Sequence, residues 1–220
     1  MICWHVLRKF LRVSKLKRVL VTGGSGFIGT NLIIQLKKKG FDVLNVDRNK
    51  PSICVKTKIV DINSTDFSFL EKEKFDYVIH LAATSSPKRS LNSKNTFDTN
   101  VKSTLKLFKI LSKKKLKKVV FMSTVLLYPT NIKQPIKENS RLNIYSNSYT
   151  HTKFIDEKIC EEFRNKFKMP IIVFRLSNIY GPYQQWEHHP TLIPEAISNA
   201  IINKKIKVLN KNIVRDWIFV

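Results

Sequence analysis

The chain has 220 residues, 43% of them hydrophobic, which suffices to bury the core of one domain or one and a half, and no run approaches the roughly 20 apolar residues of a membrane-spanning helix. The formal net charge is +24, yet the lysines gather in runs such as Lys37-Lys38-Lys39 and Lys113-Lys114-Lys115 at expected helix ends, where cations suit the dipole. No nucleic-acid module accompanies them, so composition argues against a nucleic-acid partner and favours an acidic substrate.

The three cysteines, Cys3, Cys54 and Cys160, are scattered without metal-ligand spacing. That pattern points to a reducing, cytoplasmic setting and to no metal site. Residues 1–16 read as a basic extension. Trp4, Leu7, Leu11 and Leu16 would line one side of an amphipathic helix, and a disordered leader is the plainer alternative. No apolar segment of the secretory type follows it.

From there strands and helices alternate. Arg18-Val19-Leu20-Val21 reads as a buried strand. Phe27 to Lys39 has a helical apolar period, with Gly40 as its stop. Phe41 to Val46, Lys58-Ile59-Val60 and Tyr77 to Leu81 read as strands two to four. A helix is expected from about Asn95 to Ser112, a fifth strand from Val119 to Met122, and a long helix from Ser146 to Phe167. Ile171 to Phe174 is a sixth strand, Thr191 to Ile202 a helix, and Ile206-Lys207-Val208 a last short strand. Apolar strands alternating with helices predict an α/β fold, a doubly wound parallel sheet covered on both faces.

Three features carry chemistry. The first is the turn Gly23-Gly24-Ser25-Gly26-Phe27-Ile28-Gly29 between a strand and a helix, which satisfies G-x-G-x-x-G. Its glycines permit a tight bend and close approach of a pyrophosphate, and the amides of Phe27 and Ile28 face phosphate from the helix N-terminus. The second is Asp47 at the end of strand two, placed to accept from the ribose hydroxyls of NAD and to repel the 2′-phosphate of NADP; the neighbouring Arg48 works in the opposite sense. The third is Tyr149 with Lys153, one helical turn apart, downstream of the strand-end pair Ser123-Thr124. A phenol near pKa 10 is a poor base, and a nearby ammonium and a nicotinamide ring lower that value. Tyr149 is then the base, Lys153 its activator and Thr124 a hydrogen-bond partner of the same substrate oxygen. His151 points elsewhere, and His188-His189 before Pro190 reads as a loop.

Together these blocks resemble the extended short-chain dehydrogenases/reductases, in the NAD-dependent epimerase/dehydratase group that acts on nucleotide sugars. The resemblance runs from about Lys17 to Val220. It implies that Asp61-Ile62 contacts adenine, that Leu81-Ala82-Ala83 after His80 lies beside the cofactor, and that Asn100 is the family's helix asparagine. It implies that Tyr128 belongs to the hydroxyl block and that Ser85, Thr124, Asn178 and Arg215 meet the substrate. It further implies a Rossmann-type NAD-binding domain over 17–180, the start of a small substrate lobe over 181–220, and a homodimer in full-length form. Arg215 to Val220 stops where the family runs on, so the resemblance implies C-terminal truncation.

One departure bears on function. The family's dehydratases carry an Asp-Glu pair after the strand hydroxyl, and here Val125-Leu126 stands in that place. Neither side chain transfers protons, which disfavours a 4,6-dehydratase. The expected function is an NAD-dependent nucleotide-sugar epimerase. A keto-sugar-nucleotide reductase using NAD or NADP and a non-catalytic NAD-binding fragment are the alternatives.

Overall fold

A computed structural model describes residues 16–85, 93–144, 147–184, 191–202, 204–206 and 215–220. The basic extension up to residue 15, the His188-His189 loop and residues 207–208 of the last expected strand lie outside them.

Six parallel strands form one sheet in the order β3-β2-β1-β4-β5-β6. They are β1 (Arg18–Thr22), β2 (Asp42–Asp47), β3 (Lys56–Ile59), β4 (Tyr77–His80), β5 (Lys118–Thr124) and β6 (Ile171–Leu176). The order reverses between β1 and β4. In open α/β sheets such a switch point leaves a crevice at the carboxyl ends of the two strands, where ligands bind. The glycine turn, Asp47, the Leu81-Ala82-Ala83 block and Thr124 all lie at that end.

Helix α1 (Phe27–Lys38) follows β1. The expected helix over 95–112 is present as α2 (Ser93–Phe97), a π-helical turn (Asp98–Lys102) and α3 (Ser103–Leu111). Helix α4 spans Ser148–Phe167, and α5 spans Leu192–Ile202. The third strand starts two residues earlier than the sequence pattern suggests. A second, two-stranded parallel sheet joins β7 (Asn178–Tyr180) to β8 (Trp217–Phe219).

The larger of two buried clusters lies between the sheet and α3 and α4. In it Phe108 makes edge contacts with Phe121 and Phe163, and Leu107, Leu111 and Cys160 are fully buried. The smaller, built on Val19, Val21, Ile33 and Val43, lies under α1. Burying each such side chain stabilises the fold by about 1.5–3 kcal/mol. Among the described residues no helix is long and apolar enough to cross a membrane.

Candidate active site

The first βα turn is tight for reasons visible in its neighbours. Gly23 has φ +75°, and a Cβ there would meet the Ala82 backbone nitrogen at 2.6 Å; a Cβ on Gly29 would meet the Gly23 carbonyl oxygen at 2.4 Å. Gly26 differs, since its Cβ would meet nothing closer than that carbonyl at 3.4 Å. Packing therefore does not demand glycine at position 26, which lines the cleft. Gly26 is the N-cap of α1 and no side chain caps it, and Phe27 and Ile28 of the first turn line the cleft, an arrangement that suits an anion.

Asn45 braces the turn from within β2. It accepts from the Gly24 amide at 3.0 Å and donates to the hydroxyls of Ser25 and Thr57. A polar residue in the middle of an apolar strand is the one sequence signal of this brace, and the motif reading does not use it.

A cleft of about 450 Å³ opens above the switch point. Gly23, Gly26, Phe27, Ile28, Gly29, Asp47, Arg48, Asp61, Ile62, Leu81, Ala82 and Ala83 line one end, and Ser85, Thr124, Tyr149 and Lys153 the other. Three expected residues do not line it. Asn100 is buried behind the wall, where it accepts from the Thr84 amide at 2.8 Å and donates to Thr152 at 2.9 Å. It ties the loop after β4 to α4, and the π-helical turn sets its direction. Asn178 donates from its side chain to the Asp216 carbonyl at 3.1 Å, which binds β7 to the chain before β8. Arg215 is exposed.

Helix α4 starts at a capping box. The Asn147 side chain accepts from the Thr150 amide at 2.9 Å, and the Thr150 hydroxyl accepts from the Asn147 amide at 3.3 Å. Such a cap stabilises a helix by about 1 kcal/mol. It also fixes the start of the helix so that Tyr149 and Lys153 both turn inward. Tyr149 is 8% exposed and Lys153 3%.

Burial dominates the electrostatics of the pair. Burial pushes the Tyr149 phenol up to about 12, against a hydrogen bond with Thr124 and with a further upward push from Asp156. The Lys153 ammonium is shared with other groups. It lies 3.6 Å from Asp156 Oδ2 and 4.0 Å from the centroid of the Phe121 ring. Burial lowers the pKa of Lys153 itself, against the Asp156 charge.

Two residues support the site from behind. His80 sits between the Thr22 hydroxyl at 2.6 Å and the Thr104 hydroxyl at 3.0 Å, and burial holds it down to about 3, so it is neutral. Arg175 on β6 donates to both carboxylate oxygens of Glu157 at 2.9 and 2.7 Å and to the Tyr128 hydroxyl at 2.6 Å. That fork clamps α4 to β6 and holds the loop after β5.

The donor set fits NAD: uncapped amides for a pyrophosphate, Asp47 for a ribose and a buried ammonium beside a phenol. Comparison with known proteins agrees. The model of the NAD dependent epimerase/dehydratase family matches residues 19–220. The dTDP-D-glucose 4,6-dehydratase of Dictyostelium discoideum is 31% identical over 93% of this chain, and a UDP-glucose 4-epimerase of Cyamopsis tetragonoloba 30% identical over 79%. The chain spans about half the length of these relatives, 53% and 54%. Among solved structures, the UDP-N-acetylglucosamine 4-epimerase from Methanobrevibacter ruminantium is 29% identical with a TM-score of 0.83, over 94% of this chain and 70% of that one. The UDP-glucuronic acid 4-epimerase from Bacillus cereus, solved with UDP-glucuronic acid and NAD, is 25% identical with a TM-score of 0.80, over 92% and 69%. The chain belongs to the NAD-dependent epimerase/dehydratase family, and its cofactor is NAD.

Proposed function

We propose that residues 17–180 form the NAD-binding and catalytic part of a nucleotide-sugar epimerase, and that residues 181–220 begin its substrate lobe. The substrate class is a nucleoside diphosphate sugar, as in the names of the relatives. When bound, NAD supplies the acceptor and later the donor of a hydride. The protein's own residues do the rest. Tyr149 takes the proton from the sugar hydroxyl as the hydride leaves the same carbon, and returns it after the sugar has presented its other face. Thr124 holds that oxygen in line, and Lys153 supplies positive charge beneath it. Asp61 and Ile62, which line the cleft, flank the adenine.

The observation that carries this reading is the cleft lining around Thr124, Tyr149 and Lys153. Leu126 lines the cleft beside them, in the place of the dehydratase carboxylates, and offers no group to expel water from a sugar. A second reading, an NADP-linked reductase of a keto-sugar nucleotide, draws support from Arg48, which lines the cleft next to Asp47. The free thiols of Cys54 and Cys160 accord with a cytoplasmic setting, and the family resemblance supports a homodimer. The test is incubation of the chain and NAD with UDP-, dTDP- and GDP-sugars, followed by NMR. An epimer formed without net NADH supports the reading; no epimer there, with reduction of a keto-sugar nucleotide at the expense of NADPH in a parallel incubation supplied with both, replaces it with the second.

A further inference from the structure

A carboxylate lies beside the Tyr149–Lys153 pair that the proposed chemistry does not use. Asp156 follows Lys153 by three residues on α4, so the two share one helix face, and it is fully buried. Lys153 Nζ lies 3.6 Å from Asp156 Oδ2, and neither carboxylate oxygen has a hydrogen-bond partner. A buried carboxyl without hydrogen bonds either pairs with a cation or takes up a proton; burial pushes Asp156 up to about 7 against the Lys153 charge, so above that pH it is a carboxylate facing the ammonium.

The charged groups around it are few. On α4 they are Lys153, Glu157 and the Cys160 thiol, with Arg164 acting on Cys160. Glu157 is taken by Arg175 of β6. His80 of β4, which feels the Lys153 charge, is neutral and held by two threonines. From β5 come the Phe121 ring, under the ammonium, and the Ser123 hydroxyl, which has no hydrogen-bond partner. Among the described residues, Lys153 is the cation paired with Asp156.

We propose that Asp156 is a positioning residue for the Tyr149–Lys153 pair: its carboxylate holds the Lys153 ammonium at the cleft floor and competes for it with the phenol. The inference rests on the reading of Tyr149 as the base. With Asp156 charged, Tyr149 ionises against a second negative charge whose counter-ion is already engaged. The upward push of Asp156 on the phenol is the electrostatic side of that geometry. With the charge removed, the Tyr149–Lys153 pair loses its first proton from a net positive state instead of a neutral one. That proton leaves at lower pH, and the phenolate becomes the ammonium's counter-ion.

Asp156→Asn keeps the shape and removes the charge. In the NAD-saturated chain, Tyr149 ionisation is read as ultraviolet phenolate absorbance lost in a Tyr149→Phe background. The expected result is a downward shift of that titration by about one pH unit or more, with the acid limb of kcat/KM moving the same way, and partial return in Asp156→Glu. If Asp156→Asn gives no cooperative melt, Asp156→Ser carries the same expectation. An unchanged or upward-shifted phenolate titration overturns the proposal. The absorbance needs no sugar, so the phenolate titration tests Asp156 whatever the outcome with nucleotide sugars, which bears on the epimerase reading alone.

Discussion

The backbone amide of Ser25, within the glycine turn, donates to Asp47 Oδ2 at 2.9 Å, so the turn and the end of β2 are one unit. The other carboxylate oxygen of Asp47 accepts from the Asn49 amide at 2.9 Å. Both bonds hold the carboxylate at the cleft edge, where a ribose of the cofactor fits and a 2′-phosphate meets negative charge.

The expected outcome is that the chain binds NAD more tightly than NADP, by at least about tenfold, the difference that about 1.4 kcal/mol makes. Titration calorimetry with both cofactors checks this. Asp47→Asn narrows the gap, and equal affinities in the wild type assign the ribose end to Arg48 instead.

Gly29→Ala tests the turn from the packing side. The added carbon would lie 2.4 Å from the Gly23 carbonyl oxygen and equally near Gly24 Cα, both backbone atoms that do not swing aside. A loss of about 1–3 kcal/mol in stability is expected, as for overpacking, together with weakened NAD binding. Gly26→Ala meets no such contact, so it keeps its stability and loses only cofactor affinity. Denaturant titration and calorimetry on the pair separate the two effects.

The order of the elements and the sheet class were legible in the sequence because buried parallel strands are apolar throughout and the helices between them keep their period. The glycine turn, Asp47, Thr124, Tyr149 and Lys153 were legible because their chemistry demands fixed spacings. Asp156 was not. In sequence it is one more acid on a helix carrying Glu157, Glu161 and Glu162, and only the packing shows that it points inward beside Lys153. The direction of the Tyr149 shift was hidden for the same reason, since spacing places an ammonium nearby without showing what engages it. Asn178 and Arg215 depend on β7 and β8, whose pairing no local pattern announces.

His80 gives a pH prediction. Burial holds it down to about 3, whereas an exposed histidine titrates near 6.5. Between those values the unfolded chain binds a proton that the folded chain excludes. Stability from this site is therefore full above about pH 6.5 and falls by up to about 1.4 kcal/mol per pH unit below it. Asp156, pushed up to about 7 from 3.8 by burial, acts in the opposite sense, because the folded chain binds a proton that the unfolded chain releases. The measurement is thus the difference between wild type and His80→Gln. The variant is less stable at pH 8 by about 2 kcal/mol for its altered hydrogen bonds to Thr22 and Thr104, and the gap closes as pH falls to about 5. A gap independent of pH contradicts the neutral buried histidine.

Hydride removal and return at one sugar carbon, with Tyr149 as the base, is tested most directly by NMR of the sugar product formed in deuterated water. The expected product is an epimer whose inverted carbon keeps its original hydrogen, with no net NADH, and Tyr149→Phe loses at least about 10²-fold in rate while NAD still binds. A dehydrated keto-sugar carrying solvent deuterium, or undiminished epimerisation by Tyr149→Phe, would contradict it.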